Sequence, residues 1–112
     1  MATHLFIAFS NPVPGREDEY NTWYDNVHVP EVNAIPGYIS GQRFKLVANT
    51  TGEMPGQYLV IYEMETKDPI AAYDGITKAM ESGKMIVSNA LHAESLVAAL
   101  FKPIIDKYVP KK

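Results

Sequence analysis

Short apolar runs alternate with amphipathic stretches along the 112-residue chain, and turn residues separate them. Runs rich in β-branched and aromatic side chains, bounded by Gly, Pro, Asn or Ser, predict strands. Three such strands are expected, at residues 4–9, 38–47 and 57–65. A fourth is expected near the C-terminus, where the run PIIDKYVP occupies residues 103–110.

The first helix is predicted from the spacing of its apolar side chains. Within residues 16–28 these recur at i, i+3, i+4 and i+7, the period of one helix face, at Tyr20, Trp23, Tyr24 and Val27. Pro30 is expected to break this helix, because a proline disfavours the helical conformation in the residue before it. One further turn over residues 31–34 is also compatible with the pattern.

Two more helices are expected in the second half of the chain. One begins at an Asp68 cap with Pro69 in its first turn and ends at Gly83, and the other covers residues 88–101. The order β-α-β-β-α-(α)-β predicts an α+β, ferredoxin-like split βαβ fold with a four-stranded antiparallel sheet. At this length the chain is expected to form a single domain over residues 1–112.

The first and third strands are apolar on both faces. Leu5 and Ile7 flank Phe6 in the first strand, and Leu59 adjoins Val60 in the third. An antiparallel sheet with one wet face should alternate cleanly between apolar and polar residues. Because the helices cover only one face, a second copy of the chain is the simplest cover for the other, and a homodimer is expected.

Charge and composition exclude several classes of protein. A formal net charge of -3, with no basic cluster beyond the terminal VPKK, argues against nucleic acid as a partner. The absence of cysteine rules out disulfides, thiolate nucleophiles and Cys-ligated zinc. No apolar run approaches the roughly 20 residues of a membrane span. The N-terminus lacks the pattern of a signal peptide, so a cytoplasmic location away from membranes is expected.

His28 is a candidate for acid/base chemistry. It lies at a predicted helix end, four residues after Tyr24 and three after Asp25, on the edge of the buried stripe. A general acid or base is commonly oriented in this way by a fixed backbone and a nearby carboxylate. The alternative is a capping histidine with Asp25 as a local ion-pair partner. Spacing alone favours the capping role.

The remaining histidines and Arg43 carry weaker signals. His4 in the first strand and His92 in the predicted third helix have no recognisable partner, so structural roles are expected from spacing. There is no His-x-x-x-His pair and no phosphate-cradling glycine loop, so neither a metal nor an organic cofactor is expected. Arg43 needs an anion, such as a substrate carboxylate, if it points inward, and otherwise is a surface charge.

Residues 11–44 resemble a branch of the dimeric α+β barrel superfamily that is close to the EthD-like proteins. The matching features are Asn11-Pro12, Trp23-Tyr24-Asp25, His28, Pro30, Pro36-Gly37-Tyr38 and Arg43-Phe44. The resemblance implies a ferredoxin-like fold whose sheets pack face to face in a homodimer. It also implies a pocket between the sheet and the helices of each protomer.

The resemblance further implies a function. Relatives include small isomerases, cyclases, lactone-forming enzymes and cofactor-free monooxygenases of aromatic and polyketide catabolism. His28 becomes the leading catalytic candidate with Asp25 as its orienter. It would transfer a proton without a cofactor in an isomerisation, cyclisation or hydrolysis of an oxygenated small molecule. The candidate substrate-binding residues are Trp23, Tyr24, Tyr38, Arg43, His4, Tyr62 and His92.

Two other functions stay open. A monooxygenase or haem-handling protein would use Trp23 in substrate oxidation or a histidine as an iron ligand. A non-catalytic module would bind a small molecule without turnover, and replacing His28 would then change little.

Overall fold

A computed structural model describes residues 3–112 as a four-stranded antiparallel sheet covered by helices on one face. The strands are β1 (His4–Ser10), β2 (Tyr38–Lys45), β3 (Tyr58–Met64) and β4 (Val97–Phe101). Their spatial order is β2-β3-β1-β4, so the first and third strands lie at the centre. The predicted ferredoxin-like α+β class is confirmed.

The first helical region does not end at Pro30. Three segments follow one another along it, α1 (Glu17–Trp23), a π-helical turn (Tyr24–His28) and α2 (Val29–Asn33). The Val29 N–H donates to the carbonyl oxygen of Tyr24, five residues back. Pro30 therefore falls in the first turn of α2, where a backbone N–H is not needed. The predicted break at Pro30 is wrong, and the further turn is present.

The second helix, α3, spans Pro69–Glu81 as its caps predicted. The Asp68 carboxylate accepts the N–H of Ala71 at 3.0 Å, which satisfies one of the free donors of the first turn. Gly83 has a φ of +81° directly beyond the helix, a conformation that glycine adopts without strain.

The predicted third helix over residues 88–101 is wrong. That stretch is a loop with a 3₁₀ turn at Ala93–Ser95, followed by β4. Leu and Ala favour helices intrinsically, but β4 pairs along the free edge of β1 from Val97 to Phe101. The strand predicted at residues 103–110 is also wrong: that stretch forms no strand, and β4 takes the place beside β1.

The two faces of the sheet differ in cover. The face beneath the helices is buried and carries Phe6, Ala8, Ser10, Tyr58, Val60, Tyr62 and Met64. The opposite face leaves Leu5, Ile7, Phe9, Leu59 and Ile61 only partly covered. The apolar character of both faces is thus present in the folded chain, and the open face leaves its apolar side chains partly exposed.

Candidate functional site

The π-helical turn places His28 against Trp23. In a turn of this width, residues five apart lie above one another, because the hydrogen bonds run from i to i+5. The rings of Trp23 and His28 stack with centroids 4.7 Å apart and an angle of 20°. The Tyr24 ring meets His28 edge-on at 5.2 Å. Trp23 and Tyr24 thus contact the imidazole from two sides, and these two rings form the clamp around His28.

His28 is buried and neutral. Its exposure is 7%, and its Nδ1 atom has no hydrogen-bond partner among residues 3–112. Burial lowers the pKa of His28 from its usual 6.5 to about 4, because the charged imidazolium loses its hydration. The sequence placed His28 at the edge of the buried stripe, and the structure corrects this to a buried, neutral imidazole.

Asp25 does not contact His28. Its Oδ1 accepts a hydrogen bond from the Arg43 guanidinium at 2.8 Å, and a second guanidinium nitrogen donates to Asn21 Oδ1 at 2.9 Å. The π-helical turn widens the angle between side chains three residues apart, so Asp25 and His28 point in different directions. The predicted contact between them is absent from this structure.

Arg43 lies on the helix-covered face of the sheet, beside Val60. Its guanidinium lies over the Tyr24 ring at 4.6 Å and over the rings of Tyr20 and Tyr58 at 5.3 Å. Such cation–π contacts stabilise a half-buried cation. Of the two orientations considered for Arg43, the inward one is found, and its anion is Asp25 of the same chain.

The tyrosines around Arg43 form a connected cluster that sequence reasoning missed. The hydroxyls of Tyr20 and Ser10 are 2.5 Å apart, and the Tyr58 hydroxyl donates to the Glu17 carboxylate. Burial raises the pKa of both Tyr20 and Tyr24. The i, i+4 spacing of Tyr20 and Tyr24 was the available signal, but it marked only a buried face.

Tyr38 and Tyr62 lie deeper in the same layer. The Tyr38 hydroxyl donates to the carbonyl oxygen of Ala72 at 2.8 Å. The Tyr62 hydroxyl is buried and has no hydrogen-bond partner among the described residues. Burial raises the pKa of both phenols, so both are neutral.

The other two histidines lie elsewhere. His4 starts β1, opposite Met64. His92 lies in the loop before the 3₁₀ turn, not in a helix, and its Nδ1 is 2.9 Å from the hydroxyl of Ser95. Neither contributes a hydrogen bond or ring contact to the clamp around His28 in the described part of the chain.

Tyrosine rings fill the space between sheet and helices where the resemblance implied a pocket. Four cavities around residues 3–112 lie outside it, and His28 lines none of them. One of about 770 Å³ includes Trp23 and Ile86 in its wall. Another of about 610 Å³ lies between α2 and α3 and includes Glu31.

Across residues 3–112, no three His, Asp or Glu side chains converge as a metal site would require. None of the helices found there has the length and apolar character needed to cross a bilayer.

No protein-family model and no curated protein matches this sequence. Solved structures do match it. MhuD, a haem degrader from Mycobacterium tuberculosis, superposes with a TM-score of 0.64 at 15% identity, covering 94% of this chain and 99% of its own. A candidate monooxygenase from Shewanella loihica gives 0.60 at 19% identity, with 94% and 98% covered. An EthD family protein from Bacillus halodurans gives 0.56 at 16%, with 93% and 100% covered.

This chain has the ferredoxin-like α+β fold that these solved structures share. The fold implied by the resemblance of residues 11–44 is thereby confirmed, and the structures that share it include an EthD family protein. Identities of 15–19% show a common fold and nothing about activity. The function of this chain therefore depends on its own residues.

Proposed function

We propose that this α+β barrel protein is an enzyme in which His28 transfers a proton to and from an oxygenated small molecule. The reaction class is the one that isomerisation, cyclisation and hydrolysis share. In it, His28 takes a proton from a C–H or O–H bond of the substrate or of water, the bonding electron pair stays on that carbon or oxygen, and the imidazolium returns the proton to another atom. No organic cofactor takes part.

The observation that carries this proposal is the buried, unpartnered Nδ1 of His28. Leaving a buried polar atom without a hydrogen bond costs about 1–3 kcal/mol, so such atoms are uncommon, and a catalytic role is one of the explanations for them. The Trp23 and Tyr24 rings fix the imidazole plane. The lowered pKa keeps the imidazole neutral near pH 7, so its lone pair is free, although burial also makes it a weaker base than an exposed histidine.

The substrate approaches from the cavity beside Trp23. Trp23 both lines this cavity and stacks on His28, so a change in its rotamer connects the two. Its indole N–H donates to the carbonyl oxygen of Ile86 at 3.3 Å, and this bond must break for the rotation. We further propose that the protein works as a homodimer, because the open sheet face is apolar.

Exchange of substrate hydrogen for deuterium tests the proposal and does not require the reaction product to be identified. The wild-type protein should accelerate exchange of the acidic C–H hydrogens of enolisable lactones or 1,3-dicarbonyl compounds in D₂O, read by proton NMR. His28→Gln should lower that rate by about 100-fold or more, the usual scale for losing a general acid or base. Gln is chosen because Ala would leave a cavity at this buried position.

His92→Gln is the matched control, because it removes an imidazole that lies outside the clamp. It should retain wild-type exchange rates. If His28→Gln exchanges as fast as the wild type, His28 is not the base. If no compound exchanges yet several bind, the protein is a non-catalytic binding module.

A haem-handling or monooxygenase function is the second candidate, supported by the shared fold with MhuD and the Shewanella protein. A role of His28 as an iron ligand would need the same rotation of Trp23 that admits substrate, and the Nδ1 of His92 already faces Ser95. A haem titration decides the matter, since stoichiometric binding with a sharp Soret band would favour this candidate over proton transfer.

A further inference from the structure

A second buried atom without a hydrogen-bond partner lies one helical turn from His28. It is Oε1 of Glu31, in α2. A carboxylate oxygen accepts hydrogen bonds, and an imidazole Nδ1 donates one when it carries the proton. Two buried and unsatisfied atoms of complementary chemistry therefore lie three residues apart on one continuous helix.

The backbone places these side chains on one helix face. His28 has φ −71° and ψ −48°, so the chain runs from it into α2 without a break. Residues three apart in an α-helix are surface neighbours, with Cβ atoms about 5–6 Å apart. Asp25 is also three residues from His28, but the wider π turn separates them and Arg43 binds its carboxylate.

We propose that Glu31 is a positioning residue for His28, its carboxylate accepting a hydrogen bond from the Nδ1–H of the imidazole. The pair forms by rotation of the Glu31 side chain, because the two groups do not contact each other in this structure. The inference rests on the proposed function of His28 for its purpose. The hydrogen bond itself can be observed whether or not the protein is an enzyme.

The other charged groups near Glu31 and His28 are exposed or already paired, so Glu31 is the carboxylate available to bind the imidazole. Lys78 of α3 and Lys84 of the following loop line the same cavity as Glu31 and are exposed. Arg43 of β2 and Asp25 of the π-helical turn satisfy each other. Tyr24 is the titratable group in ring contact with His28, and burial raises its pKa, so it stays neutral.

The proposed hydrogen bond between Glu31 and His28 determines which imidazole nitrogen accepts the substrate proton. With the proton held on Nδ1 by Glu31, the lone pair of Nε2 is free to accept a proton from substrate. The carboxylate also stabilises the imidazolium that forms during transfer, and so raises the pKa of His28 above the value of about 4 that burial sets when the pair is open.

Imidazole ¹⁵N NMR tests the pair directly, in Glu31→Gln and in Asp25→Asn as its matched control. Both variants remove one carboxylate three residues from His28. In the wild type the ring nitrogens should report the Nδ1–H tautomer. In Glu31→Gln the pKa of His28 should fall by about one pH unit or more. Asp25→Asn should leave the tautomer and the pKa of His28 as in the wild type.

Equal His28 pKa values in the wild type and Glu31→Gln would overturn the inference, as would an Nε2–H tautomer in the wild type. The wild-type tautomer alone settles the matter if Glu31→Gln does not fold. The two proposals fail separately. If His28→Gln loses exchange but Glu31→Gln does not change the pKa of His28, the proposed proton transfer stands and the Glu31–His28 hydrogen bond is refuted. If Glu31→Gln lowers the pKa of His28 but His28→Gln exchanges at the wild-type rate, the hydrogen bond stands and the proposed proton transfer by His28 is refuted.

Discussion

At the scale of single residues, the Tyr62 hydroxyl is a polar group held in the core without a partner among residues 3–112. Removing an unsatisfied buried hydroxyl relieves its desolvation cost, so Tyr62→Phe should raise the free energy of unfolding by about 1 kcal/mol. Urea denaturation of wild type and variant measures the difference. A loss of stability would mean that the hydroxyl has a partner in solution.

Tyr38→Phe is the matched comparison. It removes the same atom type from the same layer, but here the hydroxyl donates to the Ala72 carbonyl oxygen. The variant should lose about 1 kcal/mol. If Tyr62 contacts the substrate, as the sequence suggested, Tyr62→Phe should be the more stable protein and the weaker binder, which is the trade-off typical of functional sites.

The side-chain contacts of the candidate residues could not be predicted from the sequence. The apolar periodicity correctly predicted that Tyr20 and Tyr24 are buried, but it could not show that the Arg43 guanidinium lies against both rings. Asp25 was the obvious partner for His28 by spacing in an α-helix. That spacing lost its meaning because the turn between them is π-helical, a feature with no reliable signature in a single sequence.

At the scale of elements, Gly56 sets how closely the loop before β3 approaches β1. A Cβ at this position would lie 2.7 Å from the backbone nitrogen of Ser10 and 2.8 Å from its carbonyl oxygen. Backbone atoms cannot rotate away, so Gly56→Ala should cost about 1–3 kcal/mol in thermal or urea unfolding.

Gly75→Ala in α3 is the control for this substitution. Its new Cβ would meet a methyl of the Ile35 side chain at 3.3 Å, which can shift, and alanine is the better helix former. This variant should be neutral or slightly more stable than the wild type. Equal losses in both variants would show that the close approach at Gly56 is not the cause.

Elements were predictable where local pattern and tertiary packing agree. β1, β3 and α3 were found because β-branched and aromatic runs, turn residues and caps all favour the same structure. β4 was missed because Leu-Val-Ala-Ala-Leu is compatible with a helix, and its strand conformation is set by pairing with β1. That pairing joins Leu5 to Phe101, segments far apart along the chain, so no local pattern can reveal it.

At the scale of the whole molecule, the open face of the sheet is the surface to test for self-association. Ile61 lies on that face in the central strand β3, and Ile70 lies on α3 in the opposite layer. Ile61→Lys should convert a dimer into a monomer, measured by light scattering, because a lysine in an apolar interface is not solvated. Ile70→Lys should remain a dimer. A wild-type protein that is monomeric at micromolar concentration would contradict the homodimer.

The π-helical turn has a consequence for chain length. A π turn is in effect an α-helix carrying one surplus residue, and here the surplus lies among Tyr24–His28. Deleting the exposed Asn26 would restore an ordinary helix and rotate everything beyond it by about 100° relative to α1. The shortened chain would keep the tryptophan, the histidine and the glutamate, yet the ring stacking between the first two would be lost. A relative of this chain therefore needs the same number of residues between tryptophan and histidine, and not only the same motif residues, to stack the two rings.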